Sequence, residues 1–588
     1  MAFSIPQYLQ QRMREKLKFL YGANEGEIAF QKLMDILISF AEENPEIIKR
    51  ADKKKGLTEG DIVLITYGDQ VKKEGERPSK TLKDFLDKYF KDSISTVHIL
   101  PFFPYSSDDG FAVIDYTRVN PELGDWSDIS GLNEDFQLMF DAVINHISSK
   151  SEWFKKYKQG DKEYQDYFIE VDPEIDLSMV TRPRTKPLLT PVETDRGQKH
   201  VWTTFSPDQI DLNYENKNVL LKIIEILLFY VKQGARIIRL DAIAYLWKKL
   251  KTSCIHLEET HKVIQLFKDV FEAMAPEVLI LTETNVPHEE NISYFGNGYN
   301  EAQMVYQFTL PPLVLHSFST GNAKKLSEWA ATLKPVSEET TFFNFLASHD
   351  GIGVRPAEGI LTQTEINNLA ERAKKHGGDV SYKANGDGTE SPYELNITYF
   401  DAIVNEEEPV EVQVDKFIAS QSILLSMKGV PGIYIHSLLG SRNYNEGIKI
   451  TGEKRTINRE KLMKDELEKE LTDHSTIRYQ VYHKYTELIK IRKKEKAFHP
   501  NAAQRVLFLN DSVFTLLRTS VDNKEKIIAL HNVSGEEQIV DIDLKKCGID
   551  NYKNIIDLIS GETIDSNSVN LRLKLRPYQV MWVKIDII

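Results

Sequence analysis

Eight short apolar, β-branched runs constrain the fold of this chain more than any other feature. Most of them are followed by an amphipathic helical stretch. They are IVLITY (62–67), STVHILPFF (95–103), FQLMFDAVINH (136–146), ARIIRLDA (235–242), VLILTET (278–284), MVYQF (304–308), TFFNFLASHD (341–350) and GVPGIYIHS (429–437). A continuous apolar run reads as a parallel strand covered on both faces. Eight such units predict an α/β fold, a (β/α)8 TIM barrel with insertions. Polar residues gather where the runs end: Asn145-His146, Arg239 with Asp241, Glu283, and His349-Asp350. In a barrel these ends meet at one rim, where barrel active sites lie.

The remaining chain divides around this pattern. Residues 1–57 read as an N-terminal helical segment, with Leu17, Leu20, Phe30, Leu33, Ile36 and Phe40 at helical spacing. The barrel then occupies 58–146, 207–350 and 416–495. Inserts fall at 147–206, after the third strand, and at 351–415, after the seventh. Both are rich in proline, glycine and polar residues, and are expected to be loop-like. Residues 496–588 carry closely spaced strand-like runs and predict a small antiparallel β domain.

Charge and cysteine content exclude some functions. With 74 basic and 88 acidic side chains the net charge is −14, which disfavours coating a nucleic acid. Only Cys254 and Cys547 are present, so no disulfide framework exists and a cytoplasmic setting is expected. The N-terminus has no apolar core of a signal peptide. The most apolar stretch, Leu220 to Val231, contains Lys222 and Glu225 and is too short to cross a bilayer. No phosphate-loop or Cys-based zinc pattern is present, and no organic cofactor is expected.

Three rim carboxylates, Asp241, Glu283 and Asp350, each follow a different buried run. A charge there is costly unless paired or used. Retaining glycosidic chemistry uses one carboxylate as nucleophile and one carboxylic acid to protonate the leaving oxygen, about 5–5.5 Å apart. Any one of these acids alone would suit a structural ion pair; three at one rim point to catalysis.

The blocks DAVINH (141–146), RLDA (239–242), TET around Glu283 and SHD (348–350) resemble, in order and placement, the motif regions of glycoside hydrolase family 13, the α-amylase superfamily. The resemblance runs over essentially 60–585. It implies Asp241 as nucleophile, Glu283 as general acid/base and Asp350 as transition-state stabiliser. It further implies that Arg239 orients Asp241, and that His146 and His349 bind sugar hydroxyls. DDGFAVIDY (108–116) resembles a sucrose phosphorylase motif, which implies that Asp108 binds the glucosyl unit and Phe111 supplies an apolar platform. TSCIHLEETH (252–261), TETNVPHEENISYFG (282–296), SPYELN (391–396) and TINRE (456–460) resemble the branch that holds sucrose 6'-phosphate and glucosylglycerate phosphorylases. Resemblance to that branch implies that no metal is expected. Tyr393 matches that family's acceptor-loop tyrosine. The residue after it is glutamine in sucrose phosphorylases and Glu394 here, a departure that argues against sucrose itself.

Phosphorolysis needs an anion site. The insert supplies Arg182, Arg184 and Lys186, and the segment after the last strand supplies Arg455 and Arg459; the guanidinium fork suits phosphate and carboxylate. The expectation is a retaining α-glucoside phosphorylase taking a small sugar substrate and inorganic phosphate, with D-glycerate as acceptor. Fructose 6-phosphate, fructose and glycerol remain open as acceptors. The rivals are a hydrolase or transglucosidase of the same fold, and a non-catalytic glucan-binding or transporter-associated protein. The oligomeric state is left open.

Overall fold

The computed structural model describes residues 3–50, 56–183, 186–334, 336–384, 389–564 and 570–587. Each of the eight runs holds one strand: β1 (Val63–Thr66), β2 (Thr96–Ile99), β3 (Gln137–Ala142), β4 (Ala235–Leu240), β5 (Leu279–Thr282), β6 (Met304–Tyr306), β7 (Thr341–Asn344) and β8 (Val430–Tyr434). They close into a barrel in sequence order, every neighbouring pair parallel. Except for Arg239 within β4, the polar residues at the run ends lie beyond the barrel strands. β7 ends at Asn344, so His349 and Asp350 stand on the irregular chain beyond it. Close packing inside the barrel fixes one glycine: a Cβ on Gly432 of β8 would meet the Phe343 ring at 2.3 Å.

The apolar helix Lys217–Lys232 buries ten side chains because it has neighbours on both sides. One is the barrel; the other is the N-terminal helix Gln7–Glu43, broken by a non-helical Gly22. That N-terminal helix also packs on Glu258–Met274, burying Leu9, Met13, Leu17, Phe30, Leu33 and Leu37. Lys16 Nζ reaches Asp269 of this partner helix at 2.6 Å.

The inserts hold more regular structure than their composition predicts. The first carries a helix (Glu152–Lys158) and a hairpin (Leu189–Thr194 with Gly197–Trp202). The second carries a helix (Gln363–Lys375), capped reciprocally by Thr362 and Glu365, and a hairpin (Asp379–Ala384 with Glu390–Asn396). Cross-strand pairing over a neighbouring surface outweighs the turn-forming composition here. The C-terminal region is antiparallel. Five strands, Ala503–Val506, Val513–Thr519, Glu525–Asn532, Val580–Ile587 and Tyr552–Asp557, form one sheet, and Gln538–Asp543 pairs with Asn570–Leu575. Its residues alternate in burial: Phe514, Leu516, Ile527, Ala529 and Trp582 join the main core, while Val513, Leu517, Ile528 and Leu530 face a second core. Among the described residues, no helix is long and apolar enough to cross a membrane.

Candidate active site

The barrel register builds the site from below. Asp141 of β3 lies directly opposite Arg239 of β4. Their side chains pair, and Asp141 also accepts from His98 Nε2 of β2 at 2.6 Å. All three are buried. Burial opposes the Asp141 charge, but Arg239 and His98 overcome it and hold the group at about 2. An ionised base therefore fixes the guanidinium, which donates to Asp241 Oδ1 at 2.9 Å.

Asp241 follows β4 immediately and Glu283 follows β5 immediately, so both carboxylates rise at the C-terminal rim. Ala242 adopts a left-handed backbone, φ 49°, uncommon for a residue with a Cβ. Its N–H donates to Glu283 Oε2 at 3.1 Å. Arg239 stands farther from Glu283, 3.8 Å, than from Asp241. Burial raises both acids, Asp241 well above its ordinary value; the charge of Glu283 adds to the first and that of Asp350 to the second. The two therefore titrate as a pair that keeps one proton longest. The closer guanidinium, 2.9 Å from Asp241 against 3.8 Å from Glu283, favours the negative charge on Asp241.

Asp350 behaves oppositely. Burial raises it, but Arg455, His349 and Arg459 lower it well below the usual carboxylate range. Arg455 Nη1 approaches its Oδ1 at 2.6 Å and Arg459 Nη2 at 3.5 Å. Three rim acids thus divide into one fixed anion and one proton-sharing pair.

One pocket gathers most of the expected residues. Asp108, Phe111, His146, Asp241, Glu283, His349, Asp350, Tyr393, Glu394 and Arg455 all line it. Phe111 stacks on His349 with centroids 4.8 Å apart and planes 3° from parallel. Burial keeps His349 neutral, its pKa pushed down to about 3. His146 Nε2 lies 2.9 Å from the Phe111 carbonyl. Asp108 and Asp109 both have left-handed backbones, φ 53° and 47°. Gly110 follows at φ 112°, where a Cβ would meet the Pro101 carbonyl oxygen at 2.6 Å. Such a turn persists only when its surroundings over-determine it; Arg459 Nη1 holds Asp109 at 2.7 Å.

The arginines distribute unevenly. Arg455 forks onto Glu394, at 3.0 and 2.6 Å, besides reaching Asp350. Arg459 lies with Asp109 and donates to the His349 carbonyl at 2.8 Å, beside the Asp108 turn. In this arrangement both meet carboxylates first. Arg182 is exposed and donates to the Lys186 carbonyl, while its neighbour Pro183 lines the pocket. Arg184 lies outside the described residues. Thr181 N–H donates to Ser253 O at 2.9 Å, so the 252–261 motif anchors the arginine-bearing loop.

Sequence reasoning missed Asp141 as the anchor of Arg239, although it begins the DAVINH block. It also missed Tyr245 and Asn285, which line the pocket. Asn285 falls two residues after Glu283, inside the TETNVPHEENISYFG block. Tyr245 carries no local signal.

The alpha amylase catalytic-domain family model matches residues 84–357. The glucosylglycerate phosphorylase of Spirochaeta thermophila is 48% identical over 97% of this chain and 98% of its own length. That of Escherichia coli is 45% identical over 98% of this chain and 100% of its own. A solved structure of sucrose 6F-phosphate phosphorylase from Thermoanaerobacter thermosaccharolyticum superposes with a TM-score of 0.71 at 27% identity. It covers 86% of this chain and 97% of that one.

Proposed function

The chain belongs to the α-amylase family, glycoside hydrolase family 13, in the branch of the glucosylglycerate and sucrose phosphorylases, and from that premise we propose that it is a retaining phosphorylase of glucosylglycerate. It takes the disaccharide and inorganic phosphate to α-glucose 1-phosphate and D-glycerate. The observation that carries the acceptor is the 45–48% identity, over nearly the whole chain, to relatives of that name.

The site supports a double displacement. The Asp241 carboxylate attacks the anomeric carbon as its bond to the glycerate oxygen breaks, and Glu283 gives that oxygen its proton. A β-glucosyl ester of Asp241 results. A phosphate oxygen then attacks the same carbon, the ester bond breaks, and Glu283 takes the proton that phosphate releases. Two inversions give retention. Asp350, held anionic by Arg455 and Arg459, stabilises the positive charge that develops on the ring. Asp108, Phe111, His146 and His349 enclose the glucosyl unit, and Tyr393 with Glu394 faces the acceptor. Arg182 and Arg184 are the cations proposed for phosphate. A cytoplasmic setting fits two buried, unpaired cysteines.

The test is reverse phosphorolysis from glucose 1-phosphate with D-glycerate, fructose 6-phosphate, fructose and glycerol at equal concentration. D-Glycerate is expected to give the highest specificity constant, and disaccharide turnover to require phosphate. A higher constant for fructose or glycerol refutes the anionic acceptor. Phosphate-independent turnover refutes the phosphorylase.

A further inference from the structure

An anionic acceptor enters a pocket lined by Asp108, Asp241, Glu283, Asp350 and Glu394. It needs a cation that these carboxylates do not already hold. Arg239 serves Asp141 and Asp241, Arg455 serves Asp350 and Glu394, and Arg459 serves Asp109.

Arg355 differs from all three. It opens the single turn Arg355–Ala357, two residues beyond the pocket-lining Gly353. Val354 N–H donates to the Tyr393 carbonyl at 3.1 Å, which pins the turn to the acceptor-side hairpin. The Arg355 charge acts on Tyr245 and on His256 of the 252–261 motif, which places the guanidinium beside both. Tyr245 and Tyr393 both line the pocket. Among the described residues, Arg355 enters no ion pair with a carboxylate.

An unpaired polar atom lies against the same chain segment. Asn285 lines the pocket, and its Oδ1 is buried with no hydrogen-bond partner among the described residues. A Cβ on Gly353 would come within 3.0 Å of this amide, so Asn285 packs on the same chain segment that carries Arg355. A buried polar atom without a partner costs stability unless a ligand satisfies it.

We propose that Arg355 binds the carboxylate of the acceptor while Asn285 accepts from one of its hydroxyls, making Arg355 the residue that selects an anionic acceptor over a neutral one. The assignment rests on the glucosylglycerate reading given above. A guanidinium matches a carboxylate with two parallel N–H bonds, and a neutral triol offers nothing equivalent.

The experiment compares D-glycerate with glycerol as acceptors from glucose 1-phosphate, in wild type, Arg355→Ala and Arg355→Lys. The ratio of their specificity constants is expected to fall about 10- to 150-fold in Arg355→Ala, the range of a lost charge-assisted hydrogen bond. It is expected to recover partly in Arg355→Lys, which keeps the charge without the fork. A loss equal on both acceptors means that Arg355 only supports the loop, and overturns the assignment. A wild type that prefers glycerate and an Arg355→Ala variant that keeps that preference overturn it too, leaving the acceptor reading intact. A wild type without preference for glycerate overturns both.

Discussion

Glu283→Gln isolates proton donation from shape. Glutamine preserves an oxygen for the Ala242 N–H, which now donates to Glu283 Oε2 at 3.1 Å. What it removes is the titratable proton. The two distances from Arg239 bear on which acid keeps that proton. Arg239 lies 2.9 Å from Asp241 and 3.8 Å from Glu283. At an effective dielectric near 20, that difference favours the charge on Asp241 by about 1.4 kcal/mol, a factor of roughly ten. Burial, and then the Asp350 charge, raise Glu283 above its ordinary value, which favours the protonated form that a general acid needs. General acid catalysis contributes about 10²- to 10⁴-fold, and that is the loss expected for glucosylglycerate, whose leaving alkoxide must be protonated. α-Glucosyl fluoride needs no such help, and its glucosylation step should slow by less than about tenfold. Single-turnover release of fluoride and of glycerate, measured side by side, checks this. The basic limb of kcat/KM, which reports loss of the Glu283 proton, should also vanish for glucosylglycerate. An equal loss on both donors refutes the acid role of Glu283.

Three further outcomes follow from buried titratable groups. Asp141→Asn breaks the buried contact with Arg239 and should cost about 3–5 kcal/mol, read by urea unfolding; a loss under about 1 kcal/mol contradicts the anchoring role. Because the Asp141 pKa is held near 2, below its unfolded value of 3.8, this stabilisation is full above about pH 4 and is lost as pH falls toward 2. His436 and His531 are held neutral by burial, at about 3 and about 4. The unfolded chain protonates them below about 6.5. Stability should therefore be complete above that pH and fall by up to about 1.4 kcal/mol per pH unit for each histidine below it. Denaturant unfolding between pH 7 and 5 checks this, and a flat profile contradicts it.

The barrel was legible because burial on both faces leaves an unmistakable run. That the three rim acids would meet was legible because a buried strand seldom ends in an acid at a rim unless that acid is used or paired. β4 and β5 run straight into Asp241 and Glu283. Partner choice was not legible. Whether Arg455 faces phosphate or Glu394 depends on a contact across 61 residues, and no local pattern encodes it. The hairpins in the inserts were hidden by their own turn residues. The N-terminal helix declared its apolar face, but not that the face would cover Glu258–Met274. Arg355 stood in a short Val-Arg-Pro stretch that carries no pattern, and only the fold brings it to Tyr245.

The Glu394–Arg455–Asp350 bridge bears on how this enzyme can be altered. The hairpin that carries Tyr393 is wired through one guanidinium to Asp350. It is therefore not an exchangeable cassette. Grafting a hairpin without an acid at position 394 frees two of the nitrogens of Arg455 and changes the field on Asp350 at the same stroke. Acceptor choice and catalytic power are then inherited together, and a change in one has to be followed by repair of the other. Histories in which acceptor preference shifts should carry paired substitutions at 394 and 455, not single ones.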